Sequence, residues 1–201
     1  TENVLETLEK KLYVGEPNYS ERFIYILADI TPPGSDPHKI AEIIREYRVI
    51  ADRLLPMTSS YEEFLKPKPM SSDFLNIGRN WGYELGHEWV FVNNPSKERR
   101  IILLKECLRY SPLGVSVTAW SEKDGLYIDN GEPNTHWCVL YGLEEKDGQV
   151  YPLIFDSYDQ SLKKLHPDHH IEACKRYSLK KKVAPTLSWW AMVKKYLIFM
   201  V

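Results

Sequence analysis

Along the first third of the chain the apolar positions recur at helical spacing. Val4, Leu5, Leu8 and Leu12 fall on one face, with Glu2, Glu6, Glu9 and Lys10 among the remaining positions, which predicts an amphipathic helix over 1–12. A second apolar-periodic stretch over 19–30, carried by Phe23, Ile24, Tyr25 and Leu27, is stopped by the turn-forming run TPPG at 31–34. Ser35 or Asp36 then caps a third helix with Pro37 in its first position, and Ile40, Ile43, Ile44 and Tyr47 form its buried stripe. Residues 1–92 therefore read as a helical lobe with its connecting loops. Between 51 and 95 the periodicity weakens: KPKPMSS at 66–72 marks a loop, and Trp81, Tyr83, Trp89 and Phe91 follow it in no assignable element.

Ser96 opens a helix that runs to Arg109 with Ile101, Leu104, Cys107 and Leu108 inward, and the SPLG at 111–114 ends it. Beyond that point the period changes. Segments 115–120, 136–141 and 150–155 are rich in β-branched and aromatic residues and are separated by Gly, Asp and Asn turns, so they read as strands. Helices followed by strands imply an α+β architecture, with a β-rich second lobe over 93–178. The remainder, 179–201, is an aromatic and basic extension in which Lys180, Lys181 and Lys182 precede Trp189, Trp190, Val193, Tyr196 and Leu197. It reads as a helix whose apolar side rests on the domain, the alternative being an interfacial or partner-binding helix.

Composition narrows the function classes. With 201 residues, 43% hydrophobic and 27% charged, the chain is neither collagen-like nor wholly disordered, and its net charge of -2 gives no general reason to bind nucleic acid. The longest apolar run, 196–201, has six residues, far below the ~20 of a membrane-spanning helix, so a soluble or at most peripheral chain is expected. Cys107, Cys138 and Cys174 make an odd total at wide spacing, which argues against a disulfide scaffold. The sequence opens on Thr1 with no leader pattern before the fold, and a fragment is expected.

Two groups of residues bear on chemistry. His136 heads one predicted strand and Asp156, 20 positions on, ends the next, so antiparallel pairing returns the two ends to within ~5 Å. A carboxylate within reach of an imidazole N–H fixes the tautomer and stabilises the imidazolium, as a catalytic base requires; the same pair also reads as a structural hydrogen bond. Cys138 shares a strand face with His136 and reads as a buried apolar thiol or, alternatively, as a nucleophile. His166, His169, His170 and Cys174 have a spacing that places several ligands on one helical face, suited to zinc or nickel; the other reading is a solvated histidine-rich helix start.

At His136 and Asp156 the sequence resembles a known family. NTHWCVLYG at 134–142, a turn, and LIFDSY at 153–158 are similar to the C-terminal half of the papain-like cysteine peptidases, where a His begins one strand, a Gly closes it and an Asn-Ser-Trp ends the next. The resemblance makes His136 the general base, puts Asp156 in the place of the orienting Asn, leaves Ser157 unchanged and sets Tyr158 where a Trp shields that hydrogen bond from water. An Asp in place of Asn keeps an acceptor and adds charge. The likeness continues in order through GVSVTA at 114–119, GLYIDNG at 125–131, GSDPHKIAEIIREY at 34–47 and YSERF at 19–23, about 120 positions in all. It implies a two-lobe papain-like fold and a substrate groove between the lobes, with Thr118, Asn134, Thr135 and the bulky Trp137 on the wall near the second substrate side chain. No cofactor or metal is implied.

One departure governs the mechanism that the resemblance implies. In the family the nucleophilic Cys begins the central helix a little more than one turn before the position matched by Thr1, with the oxyanion-hole Gln just before it, and neither is in this sequence. The expectation is a cysteine peptidase chain that is truncated and inert by itself, acting on peptides or proteins once an upstream segment or a second chain supplies the thiol. The alternatives are a non-catalytic papain-like structural or interaction module and, third, a metal-binding protein built on the 166–174 cluster.

Overall fold

The computed structural model describes residues 2–182 apart from 14, 16, 32, 33, 59, 94, 134, 135 and 158. Helices α1 (Glu2–Tyr13), α2 (Glu21–Leu27) and α3 (Pro37–Tyr47) form the first lobe, joined by two shorter helices, α4 (Tyr61–Phe64) and α5 (Ser72–Arg79). Side-chain caps fix their starts. The Ser20 hydroxyl accepts from the Phe23 N–H, and the Asp36 carboxylate accepts from the His38 N–H one residue before Pro37. Strand β1 (Tyr83–Phe91) follows, then α6 (Lys97–Leu108), capped by Ser96. The rest is β: β2 (Leu113–Val117), β3 (Ser121–Lys123), β4 (Leu126–Ile128), β5 (His136–Lys146), β6 (Gln149–Asp156), β7 (Ser161–Lys164) and β8 (Ile171–Lys181).

Six strands form one antiparallel sheet in the order β1-β8-β2-β5-β6-β7, and β3 and β4 make a separate hairpin. Strand alternation divides the sheet's side chains between two cores. On one face Leu85, Tyr177 and Leu179 join Val4, Leu5 and Leu8 of α1, Phe23 and Ile24 of α2 and Ile44 of α3. On the other, Val115, Cys138, Leu140, Ile154, Ile171 and Cys174 meet Leu104 and Cys107 of α6. Helix α1 thus lies between the sheet and the remaining helices. The expected architecture, helices before an antiparallel β-rich portion, is the observed one.

Four expectations are corrected. First, 83–91 lies in the segment read as helices and loops, yet it is β1, paired along its length with β8. Its alternation was hidden because polar His87 points inward and Gly86 interrupts the strand; a Cβ at Gly86 would lie 2.5 Å from the Ser178 hydroxyl on β8. Second, 166–174 is not a helix start but a turn leading into β8. Buried Lys175 masks the alternation there: its ammonium lies 4.2 Å from the ring centroid of Trp89, its cross-strand partner. Third, Leu12 leaves the stripe of α1 and is 49% exposed, while Tyr13 turns toward the sheet and donates its hydroxyl to the Leu179 carbonyl. Fourth, Leu179, Lys180 and Lys181, read as the start of the C-terminal extension, are instead the last residues of β8, paired with Leu85, Glu84 and Tyr83, and the rest of that extension, 183–201, with its tryptophans, lies outside the described residues.

Candidate active site

His136 is the first residue of β5 and Asp156 the last of β6. The two strands are joined by a tight turn whose Asp147 and Gly148 both adopt positive φ, at 51° and 73°, and they pair from Lys146 and Gln149 up to Val139 and Phe155, with a one-residue register shift at Tyr141, between Gly142 and Leu140. The far ends therefore meet. His136 Nε2 lies 2.8 Å from Asp156 Oδ1, with the histidine 7% exposed and the aspartate wholly buried. Trp120 closes the site edge-on, its ring centroid 5.4 Å from that of His136.

A third side chain, Lys163, joins this buried pair. Strand β7 returns beside β6 with Ser161 opposite Asp156, which carries Lys163 underneath the carboxylate. The Lys163 ammonium is 3.0 Å from Asp156 Oδ2, is bound by both oxygens of Asp159 at 2.7 and 2.6 Å, and lies over the rings of Trp120 and Tyr127 at 5.4 and 5.3 Å. Burial acts to lower the Lys163 pKa, but the carboxylates of Asp159 and Asp156 outweigh it and hold the amine above its ordinary value. Asp159 is pulled down to about 2, chiefly by its hydrogen bond from Lys163. Sequence reading missed Lys163, since a leucine followed by two lysines at 162–164 looks like a solvated edge. The available signal was the alternation of Asp159, Ser161 and Lys163, which puts all three on one strand face directly after the Asp156 motif.

The remaining sequence-predicted residues fall in different places. Thr118, just past β2, is buried and donates its hydroxyl to the Glu132 carbonyl at 3.1 Å. Trp137 points to the face opposite His136, where its indole covers Gly114 and meets Trp89 edge-on at 6.1 Å. Asn134, Thr135 and Tyr158 lie outside the described residues.

All three cysteines are buried. Cys138 shares the inward face with His136, but its thiol points at the Val115 carbonyl 3.9 Å away, and burial pushes its pKa up strongly; burial does the same to Cys174 and raises Cys107. None has the partly exposed, electropositive setting of a nucleophilic thiol. The 166–174 residues do not form a ligand set either: Cys174 sits in the apolar core, and His169 is buried separately from exposed Asp168 and its neighbour His166. Among the described residues the donors that converge, within 4.8 Å, are those of His38, Glu42 and His87. Basic groups already serve that cluster. Glu42 pairs with Arg45 and with His87 Nε2 at 2.9 Å, and the Lys175 ammonium lies 3.0 Å from His38 Nδ1.

No family model matches the sequence, and no curated protein matches it. Solved structures do. The digestive procathepsin L 3 of Tenebrio molitor larval midgut is similar over 87% of this chain and 60% of its own, with a TM-score of 0.64 and 14% identity. A structure solved to explain the limited antibody cross reactivity between the mite allergens Blo t 1 and Der p 1 is similar over 90% of this chain and 61% of its own, with a TM-score of 0.55 and 12% identity. The chain thus spans about 60% of the length of the structures it matches. At these identities the likeness is one of architecture, and the architecture of this chain is the papain-like α+β fold.

Proposed function

We propose that the chain carries the base side of a papain-type cysteine peptidase site, in which His136 moves the proton and Asp156 orients the ring. The observation that carries this reading is the 2.8 Å contact between His136 Nε2 and Asp156 Oδ1, formed in a buried setting where two adjacent strands end, within a papain-like fold. With Nε2 committed to Asp156, the proton exchanged with a nucleophile is the one on Nδ1. A thiol that transfers its proton there becomes the thiolate that attacks the scissile carbonyl. The imidazolium then returns the proton to the departing amine, leaving a thioester that water hydrolyses.

Cys107, Cys138 and Cys174 are all buried, so this reading requires a thiol from outside residues 1–201. The family resemblance further assigns Thr118, Asn134, Thr135 and Trp137 to the substrate wall and Tyr158 to the shielding of the His136–Asp156 bond. The test is expression of the chain together with the polypeptide encoded before Thr1, assayed for peptide hydrolysis and for labelling by a thiol-directed inhibitor. Hydrolysis that disappears on His136→Ala, and equally on replacing that segment's Cys, supports the peptidase, because nucleophile and base act as one unit. A folded product without thiol reactivity between about pH 5 and 8 overturns it and leaves a non-catalytic papain-like module.

A further inference from the structure

Asp156 stands where the papain-type pattern has a neutral amide. Both groups accept the imidazole hydrogen bond, but a carboxylate adds a full negative charge 2.8 Å from the ring, and in a buried site that charge favours the protonated ring. That stabilisation helps the ring take the thiol's proton, but in excess it opposes the later return of the proton to the departing amine. The structure contains the counter-charge. We propose that Lys163 is a positioning residue that neutralises Asp156, so that the pair presents His136 with an uncharged hydrogen-bond acceptor in the manner of an asparagine.

Geometry supports this from both sides of the carboxylate. His136 occupies Oδ1 and the Lys163 ammonium lies 3.0 Å from Oδ2, so the two ligands do not compete for one oxygen. Lys163 is 3% exposed and Asp156 wholly buried, which leaves little water to screen the interaction. The ammonium is fixed on its far side by Asp159 and by the Ser161 hydroxyl at 2.5 Å, and is flanked by the rings of Trp120 and Tyr127. Trp120 touches His136 as well, so one aromatic side chain bounds both the base and the cation. Among the described residues the charged groups placed about this pair are Lys163 and, beyond it, Asp159, which Lys163 also binds; the Asp159 side chain is 57% exposed, so solvent screens its charge far more than that of buried Asp156. Cys138, on the same strand face, carries no charge because burial raises its thiol.

The inference rests on His136 being the base, but its test needs no activity. The His136 ring is followed by NMR against pH in the chain as it stands and assigned by its loss in His136→Gln. Lys163→Met should move the titration midpoint of His136 up by about one pH unit, since it uncovers the Asp156 charge, while Lys163→Arg, which keeps the charge, should leave it nearly unmoved. A second comparison never leaves a buried carboxylate alone and so survives if Lys163→Met fails to fold. The midpoint in Asp156→Asn should lie below that in Asp156→Asn/Lys163→Met, because an ammonium then faces a neutral amide. Equal midpoints in this second pair overturn the proposal. A shift seen here with no hydrolysis in the assay above would instead sink the peptidase reading and leave the charge coupling standing.

Discussion

The indole of Trp137 lies directly on Gly114 of the neighbouring strand: a Cβ built at Gly114 would be 2.6 Å from Cζ2 and 2.8 Å from Nε1 of the indole. Only glycine admits this approach. Gly114→Ala is expected to destabilise the fold by about 1–3 kcal/mol, the usual cost of forcing extra volume into packed structure, read as a lower urea midpoint with an unchanged slope. Replacing the indole by a smaller side chain in the same molecule, Gly114→Ala/Trp137→Leu, should restore part of the loss. Purely additive losses would show that the two residues do not collide.

Arg22, on α2, is buried and its guanidinium ties together a segment with little regular structure. It donates to the carbonyls of Phe64 at 2.9 Å, Pro56 at 3.1 Å and Lys66 at 2.6 Å, and also to that of Glu63. Removing it strands four buried or half-buried acceptors at once. Arg22→Met should cost about 3 kcal/mol or more, since hydrogen bonds from charged donors are worth about 1.5–3 kcal/mol each and are not replaced. Arg22→Lys should recover little of it, because a single ammonium cannot span the fork of acceptors. Chemical denaturation of the three proteins decides; recovery by lysine would show that charge, not geometry, is what matters.

How much of this was legible follows from where polar residues are buried. Strands β2, β5 and β6 and helices α1, α3 and α6 show in their hydrophobic period, despite exposed Leu12 on α1 and buried Arg100 on α6, and Asp36 with Pro37 and Ser96 mark the starts of α3 and α6, so sequence alone places these elements within a few residues. The His136–Asp156 contact was legible for the same reason, since two well-patterned strands and a short turn fix where their far ends meet. Strands β1 and β8 were not, because each buries a polar side chain that spoils the period. His87 is hidden against Glu42 and Lys175 beneath Trp89, and neither contact exists until the strands pair. Lys163 went unseen by the same logic: a lysine looks solvated in sequence unless its carboxylate partners are known to be beside it.

Two buried histidines set the expected pH response. Burial lowers the pKa of both His169 and His87, with the nearby Lys175 charge adding to the effect on His87. In the unfolded chain both titrate near the ordinary histidine value of about 6.5. Below that value the unfolded state binds more protons than the folded one, so stability is fully present above it and falls as the pH drops toward the folded-state values. Urea midpoints should therefore decline from neutral pH toward pH 5. His169→Gln, which cannot titrate, should decline less steeply than the parent. An identical slope in the variant would mean that His169 is already accessible to protons in the folded state.

Helix α1 offers the sharpest contrast between two leucines of one helix. Leu5 is completely buried, sharing a core with Phe23 and Ile24 on one side and Leu85, Tyr177 and Leu179 of the sheet on the other. Leu12, seven positions on and on the same predicted stripe, is 49% exposed, because the last turn of α1 presents Tyr13 to Leu179 and Tyr83 instead. Leu5→Ala should then cost about 2–5 kcal/mol, the transfer term for the lost methyls plus a cavity that helix and sheet cannot both close. Leu12→Ala should stay within about 0.5 kcal/mol, as surface substitutions do. The measurement is equilibrium unfolding of the two variants side by side. A large loss at Leu12 would mean that something covers the end of α1 in solution, and equal small losses at both would mean that α1 is not held between the sheet and the helices. If the peptidase reading is right, Leu5→Ala should also lower hydrolysis by the reassembled protein at temperatures where it remains folded, since α1 sits between the helical lobe and the sheet that carries His136.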